Sequence, residues 1–99
     1  MKYIHITFFL FFIGCSSSLP DESLPLADHL KIGMDFLDQG KFVKAQDEFK
    51  FILSRGTGTD YGDDAQFFLA EAYFLNEQYM LSIQEYENLT RKMAFSPFF

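Results

Sequence analysis

A pattern of small and apolar residues occurs twice in this chain, 37 positions apart. Ile32, Gly33, Phe36, Leu37, Phe42, Ala45, Phe49 and Ile52 lie over Leu69, Ala70, Tyr73, Phe74, Tyr79, Ser82, Tyr86 and Leu89, alike in class at a single offset. Within each copy the apolar positions fall three and four apart, the period of a helix with one buried face. A unit this short cannot cover its own apolar face, so the two copies must stack on each other. The repeat therefore restricts the fold to a row of antiparallel helices, an all-α architecture of two tandem hairpins.

Local signals delimit four helices. The first is predicted over Leu26 to Asp38, with Leu26, Leu30, Gly33 and Leu37 on one face, ending at Gln39-Gly40, where glycine admits the left-handed conformation. The second is predicted over Phe42 to Ser54, with Phe42, Ala45, Phe49 and Ile52 as its stripe, closing in the breaker-rich run Arg55-Gly56-Thr57-Gly58-Thr59. The third should begin around Tyr61 to Asp63, capped by Thr59 or Asp60, and reach Leu75; Asp63 and Asp64 suit the positive end of its dipole. The fourth is predicted over Tyr79 to Lys92, with Tyr79, Ser82, Tyr86 and Leu89 inward and Arg91 and Lys92 at the negative end.

Gly33, Ala70, Ala45 and Ser82 are small and let paired helices approach closely, while Phe36, Tyr73, Phe49 and Tyr86 fill the space between turns and between pairs. Small, small and aromatic residues at these places resemble the tetratricopeptide repeat. His29 and Gln66 stand where that repeat has its early tryptophan, and the spacing is 37 rather than 34, the extra length falling in the glycine-threonine link, where lengthening is inexpensive.

Ahead of the repeat, Lys2 forms a short positive region, and Ile4 to Ile13 form an apolar stretch broken only by His5 and Thr7. This is the layout of a secretory signal, and it is too short to cross a bilayer core that needs roughly 20 residues as a helix. Phe12-Ile13-Gly14-Cys15 resembles a bacterial lipobox, with Phe12 where leucine is usual. The resemblance implies cleavage of residues 1–14 and a covalent lipid, such as a diacylglyceryl group, on Cys15. Cys15 is the one cysteine of the chain, so no disulfide framework is available. Residues 15–25, rich in serine, proline and acidic residues, read as a flexible tether; residues 26–59 then form the first hairpin, and residues 60–99 the second with the start of a further link.

Composition narrows the function. The chain carries 8 Lys+Arg against 14 Asp+Glu, a formal net charge of -6, which becomes -7 once Lys2 is lost; this disfavours a nucleic-acid face, which needs clustered cations. His29 is the single histidine after the signal and sits where paired helices pack, so a packing role is favoured over a catalytic or metal role, and no second histidine or cysteine supplies zinc-ligand spacing. Asp60-Tyr61-Gly62-Asp63-Asp64 lacks the alternating ligands and late glutamate of a calcium loop, and Gly56-Thr57-Gly58-Thr59 lacks the Gly-Lys-Ser/Thr ending of a phosphate loop. The serines have no histidine and acid partner for nucleophilic catalysis. The reading is a non-enzyme without metal or cofactor. In stacked hairpins of this type the first helices line a concave side, and the register aims Leu30, Met34, Phe67, Glu71 and Phe74 into it. These residues either receive a peptide or pack against the neighbouring hairpin.

A lipobox, a tether and tandem hairpins, with Arg55-Gly56-Thr57 before an acidic stretch, the run Ala65 to Tyr73 containing Ala70, Glu71 and Ala72, and a closing Ser96-Pro97-Phe98, together resemble the BamD family, the lipoprotein component of the outer-membrane β-barrel assembly machine. That resemblance implies an anchored scaffold on the periplasmic face of the outer membrane, with the barrel-forming subunit and unfolded β-barrel substrates as partners. It also implies an N-terminal fragment, since the family has more repeats and the third would open near Phe99. A generic lipid-anchored scaffold for cell-wall or secretion machinery is the alternative.

Overall fold

The computed structural model describes residues 19–94. Four helices follow one another, α1 (Leu26–Asp38), α2 (Phe42–Gly56), α3 (Asp60–Leu75) and α4 (Tyr79–Ala94), and among the described residues there is no strand. Each helix packs on the one before it, and α1 also touches α3, so the chain is a hairpin stacked on a hairpin. Residues 1–14, expected to form a signal segment, Cys15 and the closing Ser96-Pro97-Phe98 lie outside the described residues.

The repeat seen in side-chain classes recurs in the backbone. Lys41 N–H donates to the Phe36 carbonyl at 2.8 Å and Gly40 N–H to Leu37 at 3.0 Å; 37 positions on, Gln78 donates to Tyr73 at 2.8 Å and Glu77 to Phe74 at 3.0 Å. Both turns are Schellman closures, which satisfy the last carbonyls of a helix and need a left-handed residue just past its end. Gly40 fills that place with φ 75°, and Glu77 fills the equivalent place with φ 62°. A non-glycine residue held there costs on the order of 1–2 kcal/mol, so the second turn is held against local preference by the packing around it.

Three boundaries differ from expectation, one of them the end of α4, at Ala94 rather than Lys92. Helix α2 runs through Arg55 to Gly56 instead of stopping at Ser54, because Thr57 Oγ1 donates to the Leu53 carbonyl and Thr59 Oγ1 to the Gly56 carbonyl, satisfying the C-terminal turn. Helix α3 starts at Asp60 with Thr59 as its cap, whose side chain accepts the Gly62 N–H at 3.3 Å. One threonine thus ends one hairpin and starts the next. Before α1, Asp21 accepts both the Ser23 N–H at 2.9 Å and the Ser23 hydroxyl at 2.7 Å, closing a turn; these bonds hold its carboxyl below the usual range.

The core runs through the junction between hairpins: Ala45, Phe49 and Ile52 of α2 with Ala65, Leu69, Ala72 and Tyr73 of α3, flanked by Leu26, Leu30, Phe36, Leu37, Leu53 and Phe68. Phe49 is fully buried and stacks on Phe68 with ring centroids 5.8 Å apart. Its other side presses on the α1 backbone at Gly33, where an added Cβ would stand 2.5 Å from Phe49 Cε1. Gly33→Ala should therefore destabilise the fold by about 1–3 kcal/mol, since a ring enclosed on all sides cannot retreat. Thermal melting checks this, and the double variant Gly33→Ala/Phe49→Leu should lose less than the sum of the two single changes.

Candidate protein-binding groove

The residues expected to line the concave side divide between the two hairpins. On α1, Leu30 is half-buried against the core cluster, while Met34 is 40 % exposed. On α3, Phe67 is 41 % and Phe74 53 % exposed, with Glu71 half-buried between them. Each of the three α3 side chains also leans on α4. Phe67 meets the Tyr86 ring edge-on at 6.1 Å, Phe74 meets Tyr79 at 5.4 Å, and Glu71 Oε1 accepts the Tyr86 hydroxyl at 2.7 Å. The groove is thus an aromatic strip on α3, braced from behind by two tyrosines, with Met34 the exposed one of the two residues expected from α1. Such a surface suits an apolar peptide side chain better than a charged solute.

Tyr86 holds this strip in place. Its pKa is pushed up to about 12, first by burial and then by the hydrogen bond to Glu71 and that carboxylate's charge. The phenol stays neutral and keeps donating to Glu71 through the ordinary pH range.

His29 is fully buried, and its Nδ1 lies 2.6 Å from Glu48 Oε2. The ring also packs on Phe51 at 4.2 Å between centroids, and Nε2 has no partner among the described residues. At the repeat offset, Gln66 Nε2 donates to Glu85 Oε2 at 3.1 Å, and Gln66 is likewise buried with its Oε1 without a partner. His29 and Gln66 therefore do the same thing: each ties the first helix of its hairpin to a glutamate 19 residues later on the second. The position that holds tryptophan in the tetratricopeptide repeat here holds a polar strut. Sequence reasoning did not find these struts, although Glu48 and Glu85 stand at the repeat offset and were legible as a pair.

Among the described residues no three histidine, cysteine or acidic side chains are grouped so as to hold a metal ion, and no helix is long and apolar enough to cross a membrane. No protein-family model matches the chain, and no curated protein matches it. The geometry of the hairpins therefore carries the functional reading.

A second polar network marks the seam between hairpins. Gln46 Nε2 donates to Gln78 Oε1 at 2.8 Å and reaches the Ala72 carbonyl at 3.5 Å, while Asn76 Nδ2 donates to the same Gln78 oxygen at 2.8 Å. Ser82 Oγ donates to the Ala70 carbonyl at 2.9 Å, so the small residue that permits close approach also bonds across it.

Two outcomes follow from these contacts. His29→Gln should retain the fold, because it copies the Gln66 strut, whereas Glu48→Leu strands a buried imidazole and should cost about 1–3 kcal/mol in denaturant unfolding. Tyr86 should ionise near pH 12 by ultraviolet titration, and Glu71→Gln should bring that midpoint part of the way back toward the ordinary value near 10. Because the folded pKa is raised, the contribution of Tyr86 is complete below about pH 10 and declines as pH rises toward 12.

Proposed function

We propose that this chain is a lipid-anchored helical-repeat scaffold that binds protein partners and has no catalytic role. The observation that carries the reading is the aromatic strip of α3, with Phe67 and Phe74 left 41 % and 53 % exposed. Side chains this large, fixed by Tyr86 and Tyr79 and open to solvent, supply binding area at little entropic cost. The lipobox-like Phe12-Ile13-Gly14-Cys15 supports acylation of Cys15 and attachment to a membrane.

The finer reading places the protein on the periplasmic face of the outer membrane, as part of the β-barrel assembly machinery, with the barrel-forming subunit and unfolded barrel substrates as partners. It is supported by the resemblance of Arg55-Gly56-Thr57, Ala65 to Tyr73 and Ser96-Pro97-Phe98 to the BamD family. Unfolded barrel strands alternate apolar and polar residues, and an aromatic strip with Glu71 at its centre suits such a segment.

Cys15→Ala should abolish incorporation of labelled palmitate and move the protein from the membrane to the soluble fraction; membrane retention without label would overturn the anchor. Crosslinking from position 67 in the intact envelope should capture barrel-assembly subunits or nascent barrel proteins. Capture of cell-wall or secretion enzymes instead would transfer the scaffold to that machinery.

A further inference from the structure

Beside the seam between the hairpins lies an open groove of about 350 Å³, lined by Gly40 and Lys41 of the first turn, Phe42, Val43 and Lys44 of α2, and Asn76 of the second turn. Both walls belong to the two described hairpins. A further hairpin stacked on α4 would not fill this groove, because one repeat step carries Gly40 to Lys44 onto Glu77 to Leu81, and its turn would stand there instead.

Three kinds of group line the groove. Val43 supplies an apolar surface that is 57 % exposed. Lys41, just ahead of α2, and Lys44, one turn further on, are both exposed. Acidic residues outnumber basic ones in the chain by 14 to 8, yet the ion pairs among the described residues join His29 to Glu48 and Arg55 to Glu22, not a carboxylate to either lysine. Lys44 Nζ lies instead 5.8 Å over the Phe36 ring, which positions its charge without neutralising it. On the opposite wall, Asn76 Nδ2 donates to Gln78 Oε1 at 2.8 Å, the same oxygen that receives Gln46 Nε2 from α2. This bond fixes the amide at the seam and leaves Asn76 Oδ1 as an acceptor.

The second hairpin has Gln78 and Leu81 where the first has Lys41 and Lys44, and its turn closes with the same backbone bonds. Closing a turn therefore does not require the two cations.

We propose that this groove docks a short, extended acidic segment of a partner protein. Two of its carboxylates meet Lys41 and Lys44, an adjacent apolar side chain covers Val43, and a backbone N–H donates to Asn76 Oδ1. An anionic bilayer is the poorer match. Asp38 and Glu77 are exposed at the two turns that frame the groove, and a flat anionic surface would be pressed against both, whereas a narrow segment need approach neither. The groove uses no residue of the α3 strip and is independent of the lipid anchor.

The probe is a fluorescent peptide, Gly-Ser-Glu-Leu-Glu-Leu-Glu-Ser-Gly, titrated with the full chain and followed by anisotropy. Saturable binding is expected. The double variant Lys41→Glu/Lys44→Glu should weaken it about ten-fold or more and should bind the counterpart peptide in which lysine replaces each glutamate. Lys31→Glu, an equal charge change at an exposed position of α1, should leave the affinity within about two-fold. Val43→Asp should also weaken binding, and circular dichroism should show unchanged helix content in every variant, since all these side chains are exposed. Absence of saturation, indifference to the double reversal or an equal loss with Lys31→Glu would each overturn the proposal. So would attachment to phosphatidylglycerol vesicles that depends on Lys41 and Lys44 in the absence of peptide binding.

Discussion

Phe49 is the contact on which the rest of the structure depends. Its ring lies against the bare backbone of Gly33 and so holds α1 to α2; it also stacks on Phe68 and so holds the first hairpin to the second. Burying one such side chain is worth about 1.5–3 kcal/mol. Its larger effect is geometric, because it sets both the spacing within a hairpin and the spacing between hairpins. The struts from His29 to Glu48 and from Gln66 to Glu85 then fix rotation and register, a role that directional polar contacts fill better than apolar ones.

The helices were legible because every level of the sequence agreed on them. The apolar period marked all four segments, while a terminal glycine added to it at the end of α1, a capping threonine at the start of α3 and charge placement at α3 and α4, and a sequence consistent in this way specifies its local structure strongly. Agreement failed at Gly56, where a breaker residue remains helical because Thr57 and Thr59 satisfy the carbonyls around it. Residue type gives little warning of that, since the hydrogen bonds depend on where two hydroxyls point.

The groove was legible only in part. Of the residues that register offered either to a peptide or to packing, Met34, Phe67 and Phe74 are exposed and Leu30 packs on the core. Position along a helix states which direction a side chain leaves; how far the neighbouring hairpin covers it depends on the interhelical angle, which no spacing encodes. The glutamate partners of His29 and Gln66 escaped notice for another reason: charged residues on an amphipathic pattern read as solvent-facing, and Glu48 is instead buried beneath the helix that carries its imidazole.

The turn at Asp21 to Leu24 bears on where the hairpins stand. It is followed at once by α1, and Glu22 lies 3.8 Å from Arg55 at the far end of α2, so the chain enters the fold at a fixed corner of the first hairpin. With a lipid on Cys15, the six peptide units from there to Asp21 span at most about 20 Å, less than the width of a small domain. The start of the first hairpin would then lie within about 20 Å of the bilayer surface.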